Sequence, residues 1–127
     1  MIFPIWRRMD LQKDSSKLID EFIKNAVIQG EATLDGNYKK GNKAADKLIK
    51  IIDNMKRDIN LAEKMIDKLI ESNEPNVKIW ACSVALDIDY KFKEAEQILE
   101  HITNSPELGI LSLSAEMVLE NHKGETT

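Results

Sequence analysis

The chain has 127 residues, 43% of them apolar and 31% charged, with a formal net charge of −4. That length allows one domain with a real core and excludes two. No run approaches the roughly 20 uncharged apolar residues of a membrane helix. The single cysteine, Cys82, can form no internal disulfide, so a cytoplasmic setting is expected. Aromatics, glycine and proline are scarce, while Leu, Ile, Ala, Lys and Glu are plentiful, a mix that favours helix by intrinsic propensity.

The first nine residues, Met1 to Met9, are apolar and then basic, and lack the features of a signal peptide. Residues 1–15 read as an extension. Either Phe3 and Trp6 tuck onto the core, or translation starts at Met9; the second reading is the slightly preferred one. A single helical domain is expected over 16–124.

Spacing of 3.6 residues marks six helical segments. The first, about Ser16 to Leu34, carries the stripe Leu18-Ile19, Phe22-Ile23 and Ala26-Val27. Asp35-Gly36-Asn37 is a turn in which Gly36 takes positive φ and Asn37 caps the next helix. The second, about Tyr38 to Met55, turns Ala45, Leu48, Ile52 and Met55 inward. Asn60 with Glu63 resembles a capping box for the third helix, which ends near Ser72. Glu74-Pro75 opens the fourth. From Val77 to Ile88 that helix has almost no polar side, so it should be the most buried element. The fifth runs from about Lys91 to Thr103. Ser105-Pro106-Glu107 is another cap-and-Pro start, and a last helix from about Ser112 to His122 carries Ala115, Val118 and Leu119 and stops at Gly124.

An apolar pattern recurs after 33 residues without a gap. Ala62-Glu63, Met65-Ile66, Leu69, Cys82 and Val84-Ala85-Leu86 fall on Ala95-Glu96, Ile98-Leu99, Ile102, Ala115 and Met117-Val118-Leu119. Each copy holds two helix-sized segments, the mark of stacked hairpins that bury one face against the next. The fold expected is all-α: antiparallel hairpins stacked as a short HEAT-like right-handed solenoid of about six helices. The first hairpin matches poorly and reads as a capping unit.

Constellations for catalysis are missing. His101 and His122 have no partner at metal-ligand spacing, Cys82 on the most apolar helix is an inert packing thiol, and the glycines form no phosphate cradle. No cofactor, no metal and no enzymatic activity are expected. Charge is unevenly spread: residues 1–60 carry 12 Lys+Arg against 9 Asp+Glu, and residues 61–127 carry 6 against 13. The acidic half would repel nucleic acid and draw in a basic partner. Lys39, Lys40, Lys43, Lys47 and Lys50 give the second helix a basic side, but a pI near 5.2 argues against a nucleic-acid binder.

The run Gly30 to Lys43, GEATLDGNYKKGNK, resembles the opening of a family of small bacterial helical proteins of unknown function with a HEAT-like fold. Val77-Lys78-Ile79-Trp80-Ala81-Cys82, Ala95-Glu96-Gln97-Ile98-Leu99, Gly109-Ile110-Leu111-Ser112 and Ala115-Glu116-Met117-Val118-Leu119 look like its later landmarks. The resemblance spans about residues 18–124. It implies the fold, carries no catalytic residues, and links the chain by analogy to toxin–immunity loci.

The expected function is therefore protein binding, most sharply by an immunity protein that occludes a basic toxin domain. The carboxylates expected to meet that partner are Glu71, Glu74, Asp87, Asp89, Glu107, Glu116 and Glu120, several of them near inter-helix turns. Neither nucleic acid nor membrane is an expected partner. The alternative is a small-ligand-binding or enzymatic domain with a groove between hairpins, lined by Trp80 or Tyr90.

Overall fold

The structure, a computed structural model, describes residues 5–126, with side-chain surroundings for residues 15–123. Helices and turns account for the ordered backbone, and no strand occurs among the described residues. In chain order the helices are α1 (Ile5–Asp35), α2 (Tyr38–Arg57), α3 (Ile59–Leu69), α4 (Pro75–Asp87), α5 (Phe92–Thr103) and α6 (Ile110–Thr126), with a 3-10 turn at Pro106–Leu108 before α6.

Several boundaries differ from expectation for identifiable reasons. The helix expected from Ser16 begins at Ile5. Phe3 and the side chain of Trp6 lie outside the described residues. Asp58, not Asn60, caps α3: its carboxylate accepts from the Leu61 N–H at 3.3 Å. Asp58 ends α2 and starts α3 at once, which leaves no room for a box at Asn60. Pro106 starts only the 3-10 turn. Gly109, at φ 60, resets the chain before α6, which then runs on through Gly124.

The turn at Gly36 forms as expected. Gly36 has φ 75, the Asn37 N–H donates to Ala32 O at 2.8 Å, and the Asn37 side chain accepts from the Lys40 N–H at 3.2 Å. This is a glycine-terminated helix end whose next residue caps the following helix. At the end of α4 the same device is built on Asp89, at φ 58: Tyr90 N–H donates to Ala85 O at 2.9 Å and Asp89 N–H to Leu86 O at 3.3 Å. Asp tolerates that backbone region better than most residues.

Helix α4 occupies the middle of the fold, packing against α1, α3, α5 and α6, while α2 lies outside against α1 and α3. Its Val77, Ile79, Ala81, Cys82, Val84, Ala85 and Leu86 are all buried, as its unbroken apolar composition predicts. Phe22, Leu48, Met65, Leu69 and Leu99 complete the core around it. Burial pushes the Cys82 thiol up to about 12.

One polar seam crosses this core. Asn76, on α4, is 6% exposed. It donates from Nδ2 to Ala26 O at 2.6 Å and to Gln29 Oε1 at 2.7 Å, so both amide hydrogens are satisfied inside the α1–α4 contact. Gly30 makes the approach possible, because a Cβ there would stand 2.9 Å from the Cβ of Asn76.

Candidate functional site

The seven nominated carboxylates are all exposed, but they are scattered. Glu71 lies in the α3–α4 turn, and Glu74 sits at the N-terminus of α4, its N–H bonded to Ser72 Oγ at 3.1 Å. Asp87 is the last residue of α4 and Asp89 lies just past it, about 20 Å from Glu74 at 1.5 Å per residue. Asp87 pairs with Lys56 at 3.2 Å, and Asp89 forms the helix-ending turn just described. Glu107 sits in the 3-10 turn, while Glu116 and Glu120 project from α6. Of the seven, Glu116 and Glu120, one turn apart on α6, share a helix face.

The α6 surface holds more than those carboxylates. Leu111, Ala115 and Leu119 are buried, yet Ile110, Leu113 and Met117 are 46%, 51% and 53% exposed. At 3.6 residues per turn these three fall within about 60° of one another on the outer side of the helix. Glu116 and Glu120 border that stripe on one side, Ser114 and Asn121 on the other. Leu34, 55% exposed, ends beside Gly109 and extends the apolar area to the start of α6. The 33-residue echo puts Ile110, Leu113 and Met117 opposite Val77, Trp80 and Val84 of α4. Val77 is 0% and Val84 1% exposed, so two of the three matching positions on α4 are covered, Trp80 being half-buried, whereas all three on α6 are exposed.

Beside the stripe, α1, α4 and α6 enclose a groove of about 260 Å³ lined by Gln29, Asn76, Trp80, Ser83, Ser114 and Val118. A second hollow of about 200 Å³ continues it past Ser83 and Val118 to Asp87, Asn121 and His122. The wall is held by a chain of bonds. Gln29 Oε1 accepts from Asn76 Nδ2 and from Trp80 Nε1, the latter at 3.1 Å, and Gln29 Nε2 donates to Thr33 Oγ1 at 3.1 Å. Thr33 Oγ1 in turn donates to Gln29 O at 2.8 Å. His122 packs against Phe92 with ring centroids 5.1 Å apart, and its Nδ1 is buried with no hydrogen-bond partner among the described residues. Trp80 thus lines a groove, as the small-ligand alternative expects.

Tyr90 lines none of these hollows. Its hydroxyl donates to Asp67 Oδ1 at 2.8 Å, and Lys91 Nζ meets the same oxygen at 2.8 Å. The Lys91 ammonium, with the Tyr90 hydroxyl, holds the Asp67 carboxyl below its usual range, and both partners shift upward in return. The arrangement pins the α4–α5 turn to α3, with Lys91 itself at φ 50.

Lys40, Lys43 and Lys47 border another hollow of about 220 Å³ between α1 and α2, and all three are exposed. Among the described residues no three His, Cys, Asp or Glu side chains stand where they could hold a metal ion, and no helix is long and apolar enough to cross a membrane. Comparison with protein-family models, with curated proteins and with solved structures finds no match to this chain.

Proposed function

We propose that the chain is a non-catalytic protein-binding module that docks a basic, amphipathic helix on the outer face of α6. In this reading the hairpins α1–α2, α3–α4 and α5–α6 form a short HEAT-like right-handed stack in which the outer face of α6 is not covered by any described residue. The observation that carries it is the exposure of Ile110, Leu113 and Met117 in the register where Val77 and Val84 are covered. Terminal units of stacked repeats carry a polar outer face when they end in solvent. Here the outer face is apolar, which is what a continuing partner helix requires.

Charge supplies the partner's chemistry. Glu107, Glu116 and Glu120 stand at or beside the stripe within the half of the chain that carries 6 basic against 13 acidic residues. Such a border steers a basic helix in and disfavours an acidic one. Covering three half-exposed large apolar side chains recovers roughly half of the ~1.5–3 kcal/mol that full burial of each is worth, about 2–4 kcal/mol together. Association costs at least that much, so the stripe alone supports a transient complex, and charge or a further anchor must supply the rest. In its sharpest form the partner is a basic toxin domain and the chain its immunity protein. A neighbouring gene for a large secreted protein with a variable C-terminal tip would support that form, and a metabolic operon would count against it.

The test is selection from a displayed library of helical peptides on the full chain. Enriched sequences are expected to carry Leu, Ile or Met at i, i+3 and i+7 with Lys or Arg beside them. Their binding should fall at least tenfold for Leu113→Asp and Met117→Asp and should slow in high salt. Acidic winners, or binding untouched by both substitutions, would overturn the proposal.

A further inference from the structure

We infer that the groove between α1, α4 and α6 is an anchor pocket for an arginine side chain of the docked partner. The inference rests on the α6 docking reading for its partner and on the groove's own chemistry for its ligand.

That chemistry leans to one side. Most fixed donors in the wall are engaged: both Asn76 Nδ2 hydrogens go to Ala26 O and Gln29 Oε1, Trp80 Nε1 goes to Gln29 Oε1, and one of the two Gln29 Nε2 hydrogens goes to Thr33 Oγ1. Acceptors are left over. Asn76 Oδ1 accepts no bond among the described residues, and the Ser83 hydroxyl has no partner there. Ser114 Oγ, which donates to Ile110 O at 3.2 Å, keeps its lone pairs. No lysine or arginine lines the groove or its continuation; the Asp87 carboxylate in the continuation is already paired with Lys56 at 3.2 Å, an exposed bond that an incoming guanidinium would share or displace. Open acceptors thus outnumber the open donors, which are one Gln29 Nε2 hydrogen and the Ser83 hydroxyl; such a pocket suits a ligand rich in donors, and a guanidinium brings five in one plane.

Shape points the same way. A volume of about 260 Å³ falls just below the usual range for a drug-sized ligand and suits a single long side chain. The Trp80 indole, locked by its bond to Gln29, offers a fixed aromatic face on which a planar cation stacks. Lysine would bring the charge without the plane. The groove runs beside Ser114, which borders the apolar stripe of α6. A helix lying on Ile110, Leu113 and Met117 can therefore drop one side chain into it.

The pocket is testable apart from the docking surface. In a Trp6→Phe background Trp80 is the only tryptophan, since the chain has two. Titration with Nα-acetyl-argininamide should change Trp80 emission saturably. The neutral isostere Nα-acetyl-citrullinamide should bind at least fivefold more weakly, and Ser83→Phe, which fills the groove, should abolish the response. Ser114→Phe, from the opposite wall, serves should Ser83→Phe fail to fold. No saturable change, equal binding of citrulline, or full binding in a folded groove-filled variant would overturn the inference. Helical binders selected on α6 without an arginine at the groove position would overturn the anchor and leave the docking reading standing. An arginine response without any selected helix would do the reverse.

Discussion

Gly30→Ala puts two rules in opposition, and their magnitudes decide the sign. Gly30 lies well inside α1, where alanine is favoured over glycine by about 1 kcal/mol. On propensity alone the substitution stabilises. The structure places the new Cβ 2.9 Å from Asn76 Cβ and 3.0 Å from both Cγ and Nδ2, well inside the ~3.5–4.0 Å of an ordinary carbon contact. Overpacking of this kind costs about 1–3 kcal/mol. If Asn76 is displaced, its bonds to Ala26 O and Gln29 Oε1 weaken, adding about 1–3 kcal/mol for buried groups left unpaired. With both costs set against the propensity gain, the net expectation is a loss of about 1–5 kcal/mol, which for a chain of this size lowers the Tm by roughly 4–20 °C. Urea unfolding gives the free energy directly. A double-mutant cycle with Asn76→Ala should show coupling of about 1 kcal/mol or more, because the two substitutions share one contact. A Gly30→Ala protein that melts at or above the parent would refute the close α1–α4 approach.

Leu86→Ala should cost about 2–5 kcal/mol, Leu86 being 3% exposed in the central helix, whereas Met117→Ala should stay within about 0.5 kcal/mol; chemical denaturation of both checks the contrast. Asp67→Asn should destabilise the protein at neutral pH, with the difference closing as the solution is acidified through and below the ordinary aspartate value of about 3.9, since Lys91 and Tyr90 lower the Asp67 carboxyl in the fold. The folded-state pKa is lowered, so the contribution is present above the unfolded value and lost as pH falls through the folded one. Because Asp67 is 45% exposed, the effect is small, and thermal melts across that range reveal it. The Cys82 thiol, buried and raised to about 12, should resist a thiol-specific reagent at pH 8 until denaturant is added; fast labelling of the native protein would contradict its burial.

Where one local rule settled the matter, the sequence was readable. Gly36 and Asn37 carry the turn chemistry that ends α1 and starts α2, and the unbroken apolar run from Val77 marks α4 as the buried centre. The start of α3 was misread because Asp58 and Asn60 are both good caps, and only the break after Arg57 chooses between them. The start of α1 was misread because residues 5–15 lack a clear apolar stripe. The Asn76–Gln29–Trp80 seam left no local trace at all. Its members stand about 50 residues apart, and a buried asparagine looks like a solvent-facing one until its partners are in place.

The outer face of α6 was legible and passed over. The 33-residue echo treats Met117 as the equivalent of Val84, and equivalence in sequence suggested equivalent burial. Burial depends on what lies next in space: α4 is packed on four sides, whereas α6 has neighbours only toward α4, α5 and α1. Apolar residues left exposed at positions whose repeat equivalents are buried need a reason, and the spacing of Ile110, Leu113 and Met117 poses that question in the sequence itself. The scattered carboxylates were chosen for charge and exposure, properties shared by most of the surface. What separates Glu116 and Glu120 from Glu71 or Asp89 is an apolar strip beside them that stays half-exposed among the described residues. On that ground α6, and not the acidic half as a whole, is where a partner is expected to meet this protein.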